Sequence, residues 1–438
     1  MALGNVFMTD TDGNIGSSVT SDVEKICGLL FDISGQTDFW TKGQGVNAAE
    51  YLKDTVVEIN SLDDATKLGI TAYTEGDTNT GLLAGIPYYH IKQFFTMAGG
   101  TGRLFISFAD CSKDWNAIID MQKASNGIIS QFGVWTEQKI WKKMDSTANQ
   151  YTIAIVNDLQ SIAEQLADDY KAPAHIILSG NSSKVTTSNG DESTIKFSEI
   201  ADAIVDARYV SVLLSQSADT DVKKMQGSLT STTPVGVVGL ALGALTQASV
   251  GESIAWVQQF DLVNYVPAIE MGFGDSTVSD GVIANATTYS ALTKYQLDEL
   301  DEKGYIFMRT YEGREGHVYF TKDRTCSDGD YCTIARNRTI NKSRRLVREA
   351  LLPYVNSPVK VDPSTGNLSS AQITVYSNLV SDVLSGMANA EEISSVGTIT
   401  IPSAQNILKT KTLTISYTLI PLGCAETIKV TEGLAISK

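Results

Sequence analysis

Asp10, Asp12 and Asn14, in the stretch TDTDGN, put oxygen donors at the first, third and fifth positions of a calcium-loop pattern. The twelfth position of such a loop needs a bidentate glutamate and here is Ser21, so the stretch reads as a polar linker. The run AGGTG, Ala98 to Gly102, has the glycines of a phosphate cradle. No Lys-Ser/Thr follows, and the run leads from a helix into a strand, the reverse of a phosphate loop. It reads as a helix C-terminal turn. His90, His175 and His317 lie in three separate segments with no matched nucleophile or ligand spacing. The sequence has no GxSxG elbow, no HExxH and no Cys-His signature. We therefore expect no catalytic, metal or cofactor residue. The alternative is an α/β enzyme with a nucleotide or sugar site in residues 100–270, drawing on Asp110, Ser179 and Ser215 at expected strand ends.

A denser signal is IARNRTINKSRRLVREALLPY. Arg336, Arg338, Lys342, Arg344, Arg345 and Arg348 follow one another with no acid before Glu349. At helical spacing Ile340, Val347, Leu351 and Tyr354 make an apolar stripe, and the basic residues a solvent- or partner-facing one. Such a face can simply be solvated, or it can dock an acidic partner surface. Nucleic acid is the weakest of the three readings, because aromatic interleaving and groove-reading motifs are missing.

The elements that carry these residues alternate. Val23 to Ile33 opens the folded body as a helix or strand. An amphipathic helix ending in Phe94-Phe95 leads through the glycine turn into a buried strand, Leu104 to Phe108. Ile155, Leu159, Ile162 and Leu166 share a helix face, and the strand Ile176 to Leu178 follows Pro173. A helix from Phe197 to Val205 is expected before the strand RYVSVLLSQ. This alternation predicts a mostly parallel α/β layer over about residues 100–270. From Thr287 the style changes: a charged helix, antiparallel strands in YIFMRTYEGREGHVYFTKDRT, the basic helix, a helix from Ala371 to Met387, and terminal strands. The expected division is an arm at 1–20, an α/β body at 21–280, an α+β domain at 281–408, and terminal strands with an arm at 409–438.

The chain has 438 residues, 42% hydrophobic and 19% charged, which suits several folded domains. Its net charge of −16 disfavours broad binding to nucleic acid or anionic membrane. Cys27, Cys111, Cys326, Cys332 and Cys424 are scattered and odd in number, as free thiols in a reducing compartment would be. MALGNVFMTDTDGN has neither the basic start nor the apolar core of a secretory signal. Val235 to Leu245, the longest apolar run, is too short and glycine-rich to span a bilayer.

The clearest strand pattern comes late. Leu413, Ile415, Tyr417 and Leu419 alternate with threonine and serine, and Ile428, Val430, Leu434 and Ile436 continue the alternation nearly to the last residue. At the other end Leu3, Val6 and Met8 sit on a Gly/Ser/Thr/Asp tether of about 12 residues, able to reach roughly 40 Å. Extended ends of this kind can add strands to another subunit's sheet.

In this order the parts resemble a contractile tail sheath protein. FFTMAGGTGRLFISF resembles the sheath pattern of a helix ending in Phe-Phe, a Gly-Gly turn and a buried strand. TPVGVVGLALGALTQASVGESIAWVQQFDLV resembles the mid-chain segment where a proline and small apolar residues precede a partner-facing stretch. GYIFMRTYEGREGHVYFTKDRT with the Arg-rich helix resembles the C-terminal region. Pro421, Ala425, Glu426 and Ile428 carry the closing signature. Two departures mark a divergent branch: Asp323-Arg324-Thr325 stands where Gly-Arg-Thr is usual, and the mid-chain run of Ala/Pro/Asn is missing.

The resemblance implies a structural subunit without enzymatic activity. It implies homo-hexameric rings stacked helically around an inner tail tube protein, with a baseplate and a tail terminator as further partners. Leu3, Val6, Met8 and the alternating residues from Leu413 to Ile436 would form inter-subunit arms. The basic helix, Arg336 to Arg348, is expected to face the tube. No direct nucleic-acid contact or membrane insertion is implied. The setting would be a virion tail or a contractile injection particle assembled in a bacterial cytoplasm. Work would come from a kinetically trapped extended lattice rather than from a nucleotide.

Overall fold

The computed structural model describes residues 22–34, 52–73, 85–100, 102–143, 151–186, 192–194, 200–225, 234–266, 269 and 289–434. Asp10, Asp12, Asn14, Ser21, the arm residues Leu3, Val6 and Met8, and Ile436 lie outside them.

Runs such as ICGLLFD and RLFISFA are apolar without alternation, and that composition suits strands covered on both faces. They form β1 (Ile26–Asp32) and β3 (Arg103–Ala109), which pair in parallel. Between them come β2 (Val57–Ile59), α1 (Leu62–Lys67) and α2 (Ile86–Met97). Next follow α3 (Ala117–Ala124), β4 (Gln131–Lys143), β5 (Tyr151–Thr152), α4 (Ala154–Asp168), β6 (His175–Thr186), β7 (Glu192–Thr194) and β8 (Val210–Val212). The parallel strands lie in the order β3-β1-β4-β6-β8. β2 closes the β3 edge antiparallel, while β5 and β7 pair antiparallel with β4 and β6. The predicted mostly parallel layer is present, and it begins earlier than residue 100, at β1.

After α5 (Thr220–Met225), the helix α6 (Val238–Gln247) packs with α2 on one face of the sheet, against Leu29, Phe31, Leu104 and Ile106. α3 and α4 cover the other face, against Leu30, Phe132, Val134 and Ile176. The small residues of VGLALGAL let α6 sit directly on the α2 backbone. A Cβ added at Gly239 would lie 2.1 Å from the His90 carbonyl oxygen, and one at Gly243 2.8 Å from that of Phe94. We expect Gly239→Val to force the helices apart and to cost about 3 kcal/mol or more in urea unfolding, beyond ordinary overpacking.

The expected helix from Phe197 to Val205 does not form over its described part. Residues 200–205 are irregular, and Ile200 and Ala203 are held in the core as single side chains. The expected boundary at 280/281 also differs from where the cores divide. α7 (Lys294–Glu302), with its Thr293 capping box, leads into a segment beside β8. There Ile306 donates to Val212 O at 2.9 Å and Leu214 N donates to Ile306 O at 2.9 Å. Tyr305 and Phe307 enter one core while Ile306 and Met308 enter the other. The antiparallel pair β9 (Met308–Arg309) and β10 (Tyr319–Phe320) belongs to this body too.

A third, smaller core lies beyond. α8 (Ile334–Leu351) and α9 (Ser370–Asn389) pack beneath the antiparallel pair β11 (Ile393–Thr400) and β12 (Ser416–Pro421), around Val347, Val380, Leu384, Met387 and Ile393. The short helix α10 (Ile407–Thr410) lies in the connection between the two strands. α8 therefore touches both bodies.

Candidate functional site

A ligand of a doubly wound sheet enters where the strand order reverses, at the C-terminal ends of β1 and β4. Here that place holds Asp32, buried and fully engaged. Its Oδ1 accepts from the backbone N–H groups of Ser34 (2.9 Å) and Cys111 (3.0 Å). Its Oδ2 accepts from Ser34 Oγ (2.9 Å), Thr136 Oγ1 (2.6 Å) and Gln138 Nε2 (2.7 Å). Five donors tie the carboxylate to loops of its own body, so this acid fastens the crevice rather than addressing a substrate. The enzyme candidates are separated as well. Asp110 is exposed and turned onto Ser112, Ser179 is buried under Gly236, and Ser215 Oγ donates to Gly180 O at 3.1 Å.

AGGTG is the turn the sequence suggests. Gly99 and Gly100 have φ of +61° and +77°, and their N–H groups close the end of α2 on Thr96 O and Phe95 O. The cysteines are free thiols. Burial pushes Cys27 up to about 11 and Cys326 up to about 12, so neither is a thiolate nucleophile at neutral pH.

His90 sits among Phe31, Tyr89 and Trp135, and His175 Nε2 donates at 2.9 Å to Ser211 Oγ, whose own proton goes to Arg324 O. Burial lowers both to about 3, helped at His175 by the charge of Arg338. The folded chain thus keeps both neutral, while the unfolded chain takes up protons below about pH 6.5. Stability is complete above that pH and falls as pH drops toward 3, by about 1.4 kcal/mol per unit for each histidine. Urea midpoints at pH 7.5 and 5.5 should show this, and His90→Phe with His175→Gln should flatten the dependence.

The basic helix is the structural joint of the molecule. Thr333 caps α8 by accepting from Arg336 N at 3.3 Å. Asp323 accepts from Ala335 N at 3.1 Å and Ser253 Oγ at 3.0 Å. The residue that departs from the sheath pattern is thus an anchor for the start of α8.

The basic residues do not share one exposed face, which corrects the expected partner-facing stripe. Arg338 is 1% exposed. Its Nη2 donates to Leu245 O (2.9 Å) and Ala248 O (3.2 Å), and its Nη1 to Ser249 O (3.1 Å). A cation thereby satisfies the carbonyls at the C-terminal end of α6, where the helix dipole is negative. Arg345 forms an ion pair with the buried Glu24 and donates to Pro173 O at 2.7 Å, tying α8 to the loops that enter β1 and β6. Arg344 donates to the Tyr209 hydroxyl at 2.6 Å, and Lys342 pairs with Glu392 across the small core. Arg336 approaches Asp330 O and Cys332 Sγ, each at 3.5 Å. Arg348 is exposed. Of the expected apolar stripe, Val347 and Leu351 enter the small core, and Tyr354 meets Tyr376 edge-on at the surface. Charge order alone could not show this, because the partners Glu24, Pro173 and Leu245 lie far away in sequence.

The alternating C-terminal residues separate into two groups. Tyr417 and Leu419 lie in β12, which pairs with β11 of the same chain, while Leu413 and Ile415 precede that strand. All four are half-buried, and Ile415, Tyr417 and Leu419 pack on the small core, so the period of two is real. Among the described residues beyond Pro421, no strand continues. Leu422 rests near Gly251, and Glu426 pairs with Lys322 at 3.1 Å. Past that point Ile428 and Val430 are 80% and 83% exposed, and Leu434 is fully exposed.

Residues 3–324 match the DUF2586 N-terminal domain and residues 330–437 match the DUF2586 C-terminal domain. The chain belongs to the DUF2586 family. The two matches meet just ahead of α8, near the place where the cores divide. No curated protein matches this DUF2586 sequence. Among solved structures, a chain of the anti-feeding prophage (AFP) baseplate, 6-fold symmetrised, superposes with TM-score 0.57 and 12% identity over 100% of both chains. A chain of the AFP helical sheath in the contracted state gives 0.57 and 13% over 99% of each. A chain of the PVC sheath complex of an extracellular contractile injection system, also contracted, gives 0.57 and 11% over 100% of this chain and 98% of that one. This DUF2586 chain therefore has the fold of contractile-sheath subunits, as the sequence resemblance implied. Among its described residues no helix is long and apolar enough to cross a membrane.

Proposed function

We propose that this chain is the structural subunit of a contractile sheath, polymerising as hexameric rings around an inner tube and contracting to drive that tube through a target envelope. The observation that carries the reading is the end-to-end correspondence with a subunit of the contracted AFP helical sheath, which spans 99% of both chains. Coverage of that extent supports the reading for the C-terminal module as well as for the larger body. The exposed apolar residues Ile428, Val430 and Leu434 support the same reading, since apolar side chains on an extended, unpaired segment gain most by completing a neighbour's sheet or groove. We assign the tube contact to a surface that includes Arg348 rather than to the whole basic helix. A baseplate and a terminator would bound the polymer, and assembly would take place in the bacterial host cytoplasm.

Electron microscopy of the purified full-length protein tests the proposal. Rings or long cylinders are the expected result, because the contracted lattice is the low-energy one. A protein that stays monomeric at high concentration and low salt would overturn it.

A further inference from the structure

A groove of about 580 Å³ lies between α8 and α9, beside the small C-terminal core. Leu346, Val383 and Met387 line it and also pack on that core, so the groove is an uncovered continuation of it. Ala350 and Gly386 keep it open, and a Cβ added at Gly386 would meet nothing within 4 Å. Of the charged residues around it, Lys342 is already paired with Glu392. The exposed carboxylates of Glu349 and Asp382 therefore leave the rim negative.

The same chain carries a segment of complementary character. Ile428 and Val430 are 80% and 83% exposed, with Lys429 between them. Glu426 is taken by Lys322, and Glu432 lies beyond these residues. In an extended chain alternate side chains point the same way, about 6.8 Å apart. Leu346 and Ala350 on α8 are spaced about 6 Å along their helix, as are Val383 and Met387 on α9. The spacings match, so both apolar side chains can enter the groove together. Lys429 then points away from the floor, and its long stem can bring the ammonium to the acidic rim.

We infer that the groove between α8 and α9 is the docking site for the Ile428–Val430 segment of a second copy of this chain. This rests on the self-assembly proposed above and names the surface that accepts the tail. A neutral apolar small molecule would leave the acidic rim without a counter-charge. An edge of the β11–β12 pair would take the tail through backbone hydrogen bonds and leave the groove unfilled.

Two full-length proteins test this, both with Cys424→Ser, one with Gly386→Cys and the other with Val430→Cys. Mixed under air oxidation, they should form a disulfide-linked pair of twice the chain mass that neither forms alone. Gly386→Leu fills the groove without striking a neighbour, and leucine favours helix over glycine. It should keep the parent's Tm and raise the concentration needed for cylinders roughly tenfold. Lys429→Glu should raise that concentration about threefold, the scale of an exposed pair. Glu349→Lys with Asp382→Lys in the same chain should then restore it. The inference is overturned if the mixture gives no linked pair. It is equally overturned if Gly386→Leu assembles like the parent while the protein without its tail does not. That second result would move the tail to another surface, such as an edge of the β11–β12 pair, and leave the sheath reading standing. A linked pair from a protein whose parent forms no rings or cylinders would uphold the docking site and sink the sheath reading.

Discussion

Arg338→Ala is expected to lower unfolding free energy by about 3–5 kcal/mol in urea titration at neutral pH, the largest single-residue loss in the C-terminal half. Three carbonyls at the end of α6, those of Leu245, Ala248 and Ser249, share its guanidinium and would be left buried without a donor. The removed volume adds a cavity cost between α8 and the first core. Desolvation lowers the Arg338 pKa, with Glu24 and Asp22 opposing it, so the charge is held by carbonyl dipoles and by carboxylates at a distance rather than by a touching one. Arg338→Lys should recover only part of the loss, since one ammonium cannot fork to three carbonyls. Arg348→Glu, on the exposed side of the same helix, should leave stability within about 0.5 kcal/mol of the parent. An equal loss in both variants would mean that α8 is marginal along its whole length and that the capping of α6 is not what Arg338 contributes.

The contrast between these two arginines shows what the sequence could carry. Local pattern placed β3, β6, α4, α8 and α9, because each reports its own burial through residues a few positions apart, whereas the stretch that holds β1 read equally as helix or strand. The glycine turn after Phe95 was legible for the same reason, since φ above zero at Gly99 and Gly100 is a local demand. The direction in which a charged helix faces is not local. Arg338 and Arg345 look like surface residues until Leu245 and Glu24 are brought beside them from 93 and 321 residues away. The packing of the segment after α7 is equally non-local. Tyr305 to Met308 changes style from the α/β repeat, yet its alternating side chains fill both faces of the same sheet. The run that forms α6 read only as apolar and glycine-rich, and it is the structure that shows Gly239 and Gly243 seating it on the α2 backbone.

Deleting residues 422–438 is expected to abolish polymerisation while leaving the monomer folded. Within its own chain this tail does little. Leu422 touches the Gly251 region, and the Lys322–Glu426 pair is partly exposed and is worth about 0–1 kcal/mol after screening. Lys322 keeps Asp301 at 2.6 Å when Glu426 is gone. Circular dichroism and Tm should therefore hardly change. Between copies the balance reverses. Ile428, Val430 and Leu434 are almost wholly in water, and burying each against a neighbour would gain about 1.5–3 kcal/mol before ordering costs. If ordering consumes two thirds of that gain, about 1.5–3 kcal/mol per subunit remains, which moves the concentration needed for assembly roughly ten- to a hundredfold. Ile428→Asp with Val430→Asp should reproduce the defect without shortening the chain, because a desolvated carboxylate cannot replace an apolar anchor. Cylinders formed by the truncated protein at the parent's concentration would remove the tail from the assembly. A Tm lowered by many degrees would instead show that the segment belongs to the body it leaves.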